Sequence, residues 1–482
     1  MRVIRYSYWR IVTSAKNFVG RSADFLVDSK IVHFAWYLLL VLIPVSTRVI
    51  LTSAIRGFHE YETLFLYGSD LVLLLLLVIA FGLHRHHNGE WHERTLKVLI
   101  WPVLGLVISA GLSVFFAPSF MLAMYDFIRL LSLILLAWWL IPLLAKKTNL
   151  LRNSVIVLSA LAVFEAIIAF LQFCFQRSLG LWFLGESKLD PILGLGAKVE
   201  FGGGLLRGYG TFAHPNILAA FLLIGLFGLI YLFIHSDWHL YRYDKEMSVG
   251  DNLKIFVSNH HFYGRMLISA GLFIVLLGLA VSFSRAGWLS GGLGLLVILL
   301  LLLVRRHFGS GLRLSAVLGL SCFAVYYLLS PVISVRAHFE ASEPSVSYRM
   351  IYAKAGLSIV NQEPLGVGPG SQVLYSVRSG LYQEMGLARA WEWEPIHNIY
   401  LLASAEVGVA GGLSFLAFLI ILLWQLFFRR LPLIKLFVLG SLVALLAFGL
   451  FDHFLWTIQA GKLMLWTIIG LTLALLLNPE HE

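Results

Sequence analysis

Long apolar windows recur down this chain, and they restrict its fold more than any other feature. Runs such as 71–80 and 295–304 sit inside stretches of about 20 predominantly apolar residues, the length an α-helix needs to cross a hydrocarbon core. In that medium every backbone N–H and C=O must be satisfied within the chain, which leaves helices or a closed barrel. A membrane barrel would read as short alternating segments, and none appear. With 59% hydrophobic and only 13% charged residues, the composition excludes an ordinary soluble domain, in which about a quarter of residues are charged. The expected fold class is all-α: one polytopic integral membrane domain over residues 1–482.

Hydropathy predicts about twelve spans. They lie near 33–50, 64–83, 96–116, 121–144, 151–175, 216–235, 266–283, 286–304, 313–330, 399–428, 433–451 and 461–477. The net charge of +10 would fit a nucleic-acid partner if the basic residues were clustered. They are instead sorted by loop. One alternating set carries Arg85, Arg94, Lys97, Lys146, Lys147, Arg152, Arg305, Arg306, Arg429 and Arg430, with more in the N-terminal segment. The short loops of the opposite set hold Arg48, Arg56, Arg285 and Lys462. Lys and Arg are retained on the cytoplasmic side, so both termini are expected there, with no nucleic-acid partner. No cleavable leader is expected; the first span reads as an uncleaved anchor. Cys174 and Cys322 both fall in apolar segments and read as small hydrophobes without a disulfide framework.

This sidedness places two long segments outside, 176–215 and 331–397. Long translocated loops escape the charge rule, so their own basic residues need another explanation. In the second loop, Tyr348, Ile351, Tyr352, Ala355 and Ile359 recur at helical spacing, predicting a short helix over 347–360. Gly366, Gly368 and Gly370 follow as a turn, without the strand and helix that a phosphate-cradling loop requires.

The candidate chemistry sits at the outer rim. Arg285 occupies a tight turn between two spans, where a charge costs roughly 2.5–3.5 kcal/mol at helix centre and less toward the rim. A snorkelling headgroup contact is one reading; an anion site is the other, with Arg207 and Arg349 as further clamps, since guanidinium binds phosphate bidentately. His397, at the mouth of a span, is either a cap or a general base oriented by Glu394. His214, Asp452 and His453 lie at the same rim as supporting candidates, His214 beside Pro215 in a turn. Glu392, Glu394 and His397 do not have a standard ligand spacing, and neither metal nor cofactor is expected. Within the spans, Asp126 and Arg129 are three apart and predicted to pair with each other. Glu165 and Glu406 read as hydrogen-bonded buried carboxyls, the kind of group a proton-coupled transporter would use.

Several of these stretches resemble one family. They are Gly210-Thr211-Phe212-Ala213-His214-Pro215-Asn216, Phe283-Ser284-Arg285-Ala286-Gly287, Pro364-Leu365-Gly366-Val367-Gly368-Pro369-Gly370, His397-Asn398-Ile399-Tyr400-Leu401, Glu406-Val407-Gly408 and Phe451-Asp452-His453. In series, over roughly the second half of the chain, they resemble the O-antigen ligase and polymerase superfamily. The resemblance implies a metal-independent glycosyltransferase at the outer face of the inner membrane. It would move a glycan from a polyprenyl-diphosphate carrier to a hydroxyl of a lipid, glycan or protein acceptor. It also implies His397 as the base and Arg285, with Arg207 and Arg349, as diphosphate ligands. The chemistry agrees: polyprenyl diphosphate is an activated anionic leaving group, so cations and one base suffice. Ligase and polymerase differ in acceptor, which the sequence does not identify. A lipid or glycan transporter is the alternative of another class; it would place its charges near mid-membrane on broken helices.

Overall fold

The structure is a computed structural model, and it describes residues 30–52, 59–84, 94–141, 149–199, 201, 204–236, 260–338 and 344–477. Both termini and several basic loops on which the predicted sidedness rests, Arg56, Arg85, Lys146 and Lys147 among them, lie outside these residues. The molecule is an all-α polytopic membrane protein. In order come α1 (Lys30–Val41), a hairpin of β1 (Arg48–Thr52) and β2 (Leu64–Tyr67), α2 (Gly68–His84), α3 (Arg94–Ser113), α4 (Phe120–Leu135) and α5 (Leu150–Phe175). Then follow α6 (Pro215–His235), α7 (His260–Val281), α8 (Arg285–Val304) and α9 (Phe308–Ala337). The long loop folds as α10 (Pro344–Gln362), α11 (Gln372–Arg378) and α12 (Leu381–Glu384). The chain closes with α13 (Ile399–Phe428), α14 (Lys435–Phe448), α15 (Phe454–Thr457) and α16 (Gln459–Leu477).

Among the described residues, nine helices are long and apolar enough to cross a bilayer: α3 to α9, α13 and α16. Each coincides with a predicted span. Three shorter apolar helices, Lys30–Val41, Gly68–Ile79 and Lys435–Phe448, stand where the first, second and eleventh spans were expected. The first expected span is cut short at Pro44, which has no N–H to continue a helix. The β-branched run after it pairs antiparallel instead, Arg48 opposite Tyr67 and Val49 opposite Leu66. At the other end, α9 runs on through Pro331 to Ala337, so the long loop begins later than expected.

Among the helices long enough to cross a bilayer, two are buried on nearly every side, α6 and α16. Neither has a polar stripe, as expected of a helix with no exposed face. The peripheral helices expose apolar side chains such as Trp101 on α3, Leu289 on α8, Leu320 and Tyr327 on α9 and Trp424 on α13, which form the lipid-facing surface. Small residues let helices approach closely: a Cβ on Gly225 or Gly228 of α6 would collide with Ala162 or Ser159 of α5.

One span is broken where the long loop meets it. Gly408, inside α13, has φ +79° and ψ +166°, a region open in practice only to glycine. The Pro364–Gly370 segment fills the break by backbone pairing. Val367 N–H donates to Ala405 O (3.0 Å), Gly368 N–H to Glu406 O (2.8 Å), and Val409 N–H to Pro364 O (3.0 Å). The predicted turn is therefore also an insert, strapping the loop to the membrane helix beneath it.

Candidate functional site

The loop between α7 and α8 is tight because Phe283 takes a left-handed conformation, φ +46°, with its ring buried against Phe173 and Trp288. Two successive carbonyls of this turn each hold an arginine from elsewhere. Arg207 Nε donates to Ser282 O (2.7 Å) and Arg336 Nε to Phe283 O (3.1 Å). Arg285, the first residue of α8 after the Ser284 cap, reaches out of the turn so that Nη1 donates to His338 O (3.4 Å).

Arg207 is 6% exposed and heads a polar chain leading into the histidines. Its Nη2 donates to Asn216 Oδ1 (3.0 Å), Asn216 Nδ2 donates to Asp452 Oδ2 (2.7 Å), and Asp452 Oδ1 accepts from His453 N–H (2.8 Å). Burial, with Arg336 and Arg349 nearby, lowers Arg207 to about 9, which leaves it charged at neutral pH. Arg349 on α10 has a buried Nε with no hydrogen-bond partner, and its charge is felt by both Arg207 and His397. Arg336 and Arg349 thus both lie close enough to repel Arg207, an arrangement that favours an anion.

His397 is carried by a segment pinned from several sides. The Tyr382 hydroxyl donates to Glu394 O (2.6 Å), Tyr352 to Glu392 O (2.7 Å), and Ile396 N–H to Gln372 Oε1 (3.2 Å). Just beyond, Asn398 caps α13 by accepting from the N–H groups of Tyr400 and Leu401 (both 3.0 Å). Tyr352 stacks on the His397 ring at 5.3 Å, and His453 meets it edge-on at 4.8 Å. His397 Nδ1 lies 2.9 Å from Pro395 O, and a carbonyl can only accept. Nδ1 therefore carries the proton and Nε2 presents a lone pair, the tautomer a base needs. Burial lowers its pKa to about 4, helped by His453 and Arg349 and opposed by Asp452 and Glu394.

His214 is oppositely disposed. It caps α6 with Nδ1 accepting from Asn216 N–H (3.1 Å), so its acceptor nitrogen is already used. Burial and then Arg207 lower it to about 4. Glu394 Oε2 lies 3.6 Å from His453 Nε2 and is held below the usual carboxylate range by His453, His397 and His214 despite its burial. Asp452 is depressed in the same way by the three histidines and by Asn216, again against its burial. Glu394, His397 and His453 offer ligand atoms within 4.8 Å of one another, a spacing a divalent cation could use. The arginines around them oppose a cation electrostatically, so a hydrogen-bonded acid–base cluster fits the surroundings better.

Arg207, Arg349, His214, Glu394, His397, Asp452 and His453 are thus brought together, with Arg285 at the edge beyond the turn. Sequence reasoning missed Arg336, Asn216 and Tyr61. Tyr61 lies beside the hairpin, meets the His453 ring at 5.6 Å and is kept protonated by burial and by Glu394. Arg336 carried one signal, a cation in the last turn of a helix entering a long loop. Tyr61 carried none. Tyr382 is fully buried and committed to hydrogen bonds, whereas Trp182 and Trp391 are exposed.

The carboxyls inside the spans have fixed partners. Glu165 accepts from the Thr211 N–H (2.8 Å) and hydroxyl (2.9 Å), and Glu406 accepts from Trp456 Nε1 (2.8 Å). Each anchors one of the loops that build the site. The predicted Asp126–Arg129 pair does not form: Asp126 pairs with Lys462 of α16, and Arg129 with Asp70 of α2.

Residues 270–416 match a family model described as O-antigen ligase. No curated protein matches the chain. The matched stretch contains Arg285, Arg336, Arg349, Glu394 and His397, while Tyr61, Arg207, His214, Asp452 and His453 are supplied from outside it.

Proposed function

Taking this chain as a member of the O-antigen ligase superfamily, we propose that it transfers a glycan from a polyprenyl-diphosphate carrier to an acceptor hydroxyl, at the extracytoplasmic face of a bacterial inner membrane. One observation carries the reading: an imidazole with its Nε2 lone pair free stands within electrostatic reach of Arg349, part of a cluster of arginines around the buried Arg207.

His397 Nε2 takes the proton of the acceptor hydroxyl as its oxygen bonds to the anomeric carbon. The bond from that carbon to the carrier's phosphate breaks, and the electron pair leaves on the diphosphate. Arg207, Arg336 and Arg349 meet the charge as it develops, and Arg285 extends the cationic rim. Fixed guanidinium groups in a buried site do this without reorganising during the reaction. Tyr352 and the Pro395 carbonyl hold the imidazole ring in place. Asp452, linked to Arg207 through Asn216 and to His453 through its backbone, fixes the spacing between phosphate site and base. Ligase and polymerase share this chemistry, and the acceptor distinguishes them. The partners found for Glu165 and Glu406 argue against a transport cycle, in which such groups would exchange protons.

The test is glycan transfer by purified protein with a polyprenyl-diphosphate glycan donor, in detergent, where no transmembrane gradient exists. Transfer should occur, and His397→Ala should lower turnover by roughly 10²–10⁴-fold while donor binding is kept. Wild-type turnover in that variant would remove the base assignment; a requirement for a gradient would remove the transferase reading.

A further inference from the structure

A cavity partly open to solvent adjoins the imidazole pair, and none of its lining comes from Arg207, Arg285, Arg336 or Arg349. Three wall residues touch that pair. Tyr61 packs on His453, the Pro395 carbonyl accepts from His397 Nδ1, and Thr457 Oγ1 lies 2.7 Å from His453 Nδ1. From there the cavity reaches between α4 and α16 to Asp126, Arg129, Glu406 and Lys462.

Its cations are already paired. Arg129 is paired with Asp70, Lys462 with Asp126, and Glu406 is held by Trp456. A phosphate finds no uncompensated cation here, so the lining does not duplicate the arginine cluster. Nor do buried ion pairs explain themselves as stabilisers, since well-packed apolar residues commonly do as well. Charged side chains inside a span point by default to a bound group or a pathway. Beside them stand the aromatic side chains of Tyr61, Tyr67, Tyr125 and Trp456, with Arg129 over one face of Tyr67 and of Tyr125. Apolar faces next to fixed, paired donors and acceptors suit a polyhydroxylated ring, whose C–H face stacks while its hydroxyls bridge the ion pairs.

We propose that this cavity binds a neutral sugar of the acceptor, one side chain away from the imidazoles, so that the adjoining hydroxyl of the same glycan is delivered to them. This rests on the transferase reading, which it deepens by dividing the site into an anionic donor half and a neutral acceptor half. The protein in nanodiscs is titrated with two probes: polyprenyl diphosphate lacking a glycan, and a panel of fluorophore-tagged neutral di- and trisaccharides. Two variants are compared with wild type. Asp126→Asn with Lys462→Met removes one ion pair, and Leu130→Trp fills the cavity while keeping both pairs. The second carries the test if the first does not fold. Both should weaken saccharide binding by at least about tenfold, with polyprenyl diphosphate affinity kept within about twofold. No saccharide binding by wild type up to about 10 mM, or binding that both variants retain, overturns the proposal. Failure of wild type to bind polyprenyl diphosphate is a separate result and sinks the transferase reading together with it.

Discussion

His214, His397 and His453 share one site, and the ring nitrogen that His214 and His397 have each committed decides what they can do. His214 accepts the Asn216 N–H at Nδ1, so gaining a proton there would cost it the cap of α6. His397 donates Nδ1–H to a carbonyl and keeps Nε2 for substrate. His214→Asn, which can still cap, should therefore keep transfer near wild type, whereas His214→Ala should lower thermal stability by about 0.5–2 kcal/mol. A loss of turnover in the asparagine variant as large as that in His397→Ala would show that His214 does more than cap. The pH profile belongs to His397. Burial, His453 and Arg349 lower its pKa from 6.5 to about 4, so the proton-accepting form is complete at neutral pH and is lost only as pH falls through that lower value. Turnover with saturating donor should stay level down to about pH 5 and decline beyond it. A profile that halves near the ordinary imidazole value would mean that the acting base is not shielded in this way.

At the level of elements, the site depends on a loop inserted into a break in α13. Both partners were visible as motifs, Pro364–Gly370 and Glu406-Val407-Gly408, yet their contact was not. It is made of backbone groups, and a backbone ladder leaves no side-chain pattern to read. The glycines are its only trace. A Cβ on Gly408 would sit 2.7 Å from the Leu365 carbonyl carbon, and one on Gly366 would sit 2.3 Å from the Gly408 nitrogen. Gly408→Ala must overcome both that contact and a backbone region costing about 1–3 kcal/mol for other residues. It should reduce the unfolding temperature of the purified protein and lower turnover with it, because Glu406 and the start of α11 shift together. An unchanged unfolding temperature would show that the break relaxes freely into a regular helix. The helix predicted over 347–360 was legible, by contrast, because periodic tyrosines and isoleucines record which face of α10 is covered.

For the whole molecule, hydropathy located the helices because a chain in hydrocarbon must hide its backbone polar groups, and only a long apolar helix does so. The same signal is blind to depth: α6 and α16, enclosed by protein, read no differently from α3, whose flank meets lipid. It is equally blind to tertiary partners. Spacing alone pairs Asp126 with Arg129, yet each turns to a different helix, so the two ion pairs tie α4 to α16 and to α2. Gln459 at the start of α16 donates to the other oxygen of Asp70 (2.7 Å), which draws the first and last parts of the chain into one network. If this network serves binding and not stability, breaking and replacing it should have opposite consequences. Asp70→Ala leaves Arg129 buried without its counter-charge and should cost about 3–5 kcal/mol. Asp70→Leu with Arg129→Met removes both charges and should restore most of the unfolding temperature. Thermal unfolding in detergent separates the cases, and a double variant as unstable as the single one would show that the ion pair itself holds the helices together.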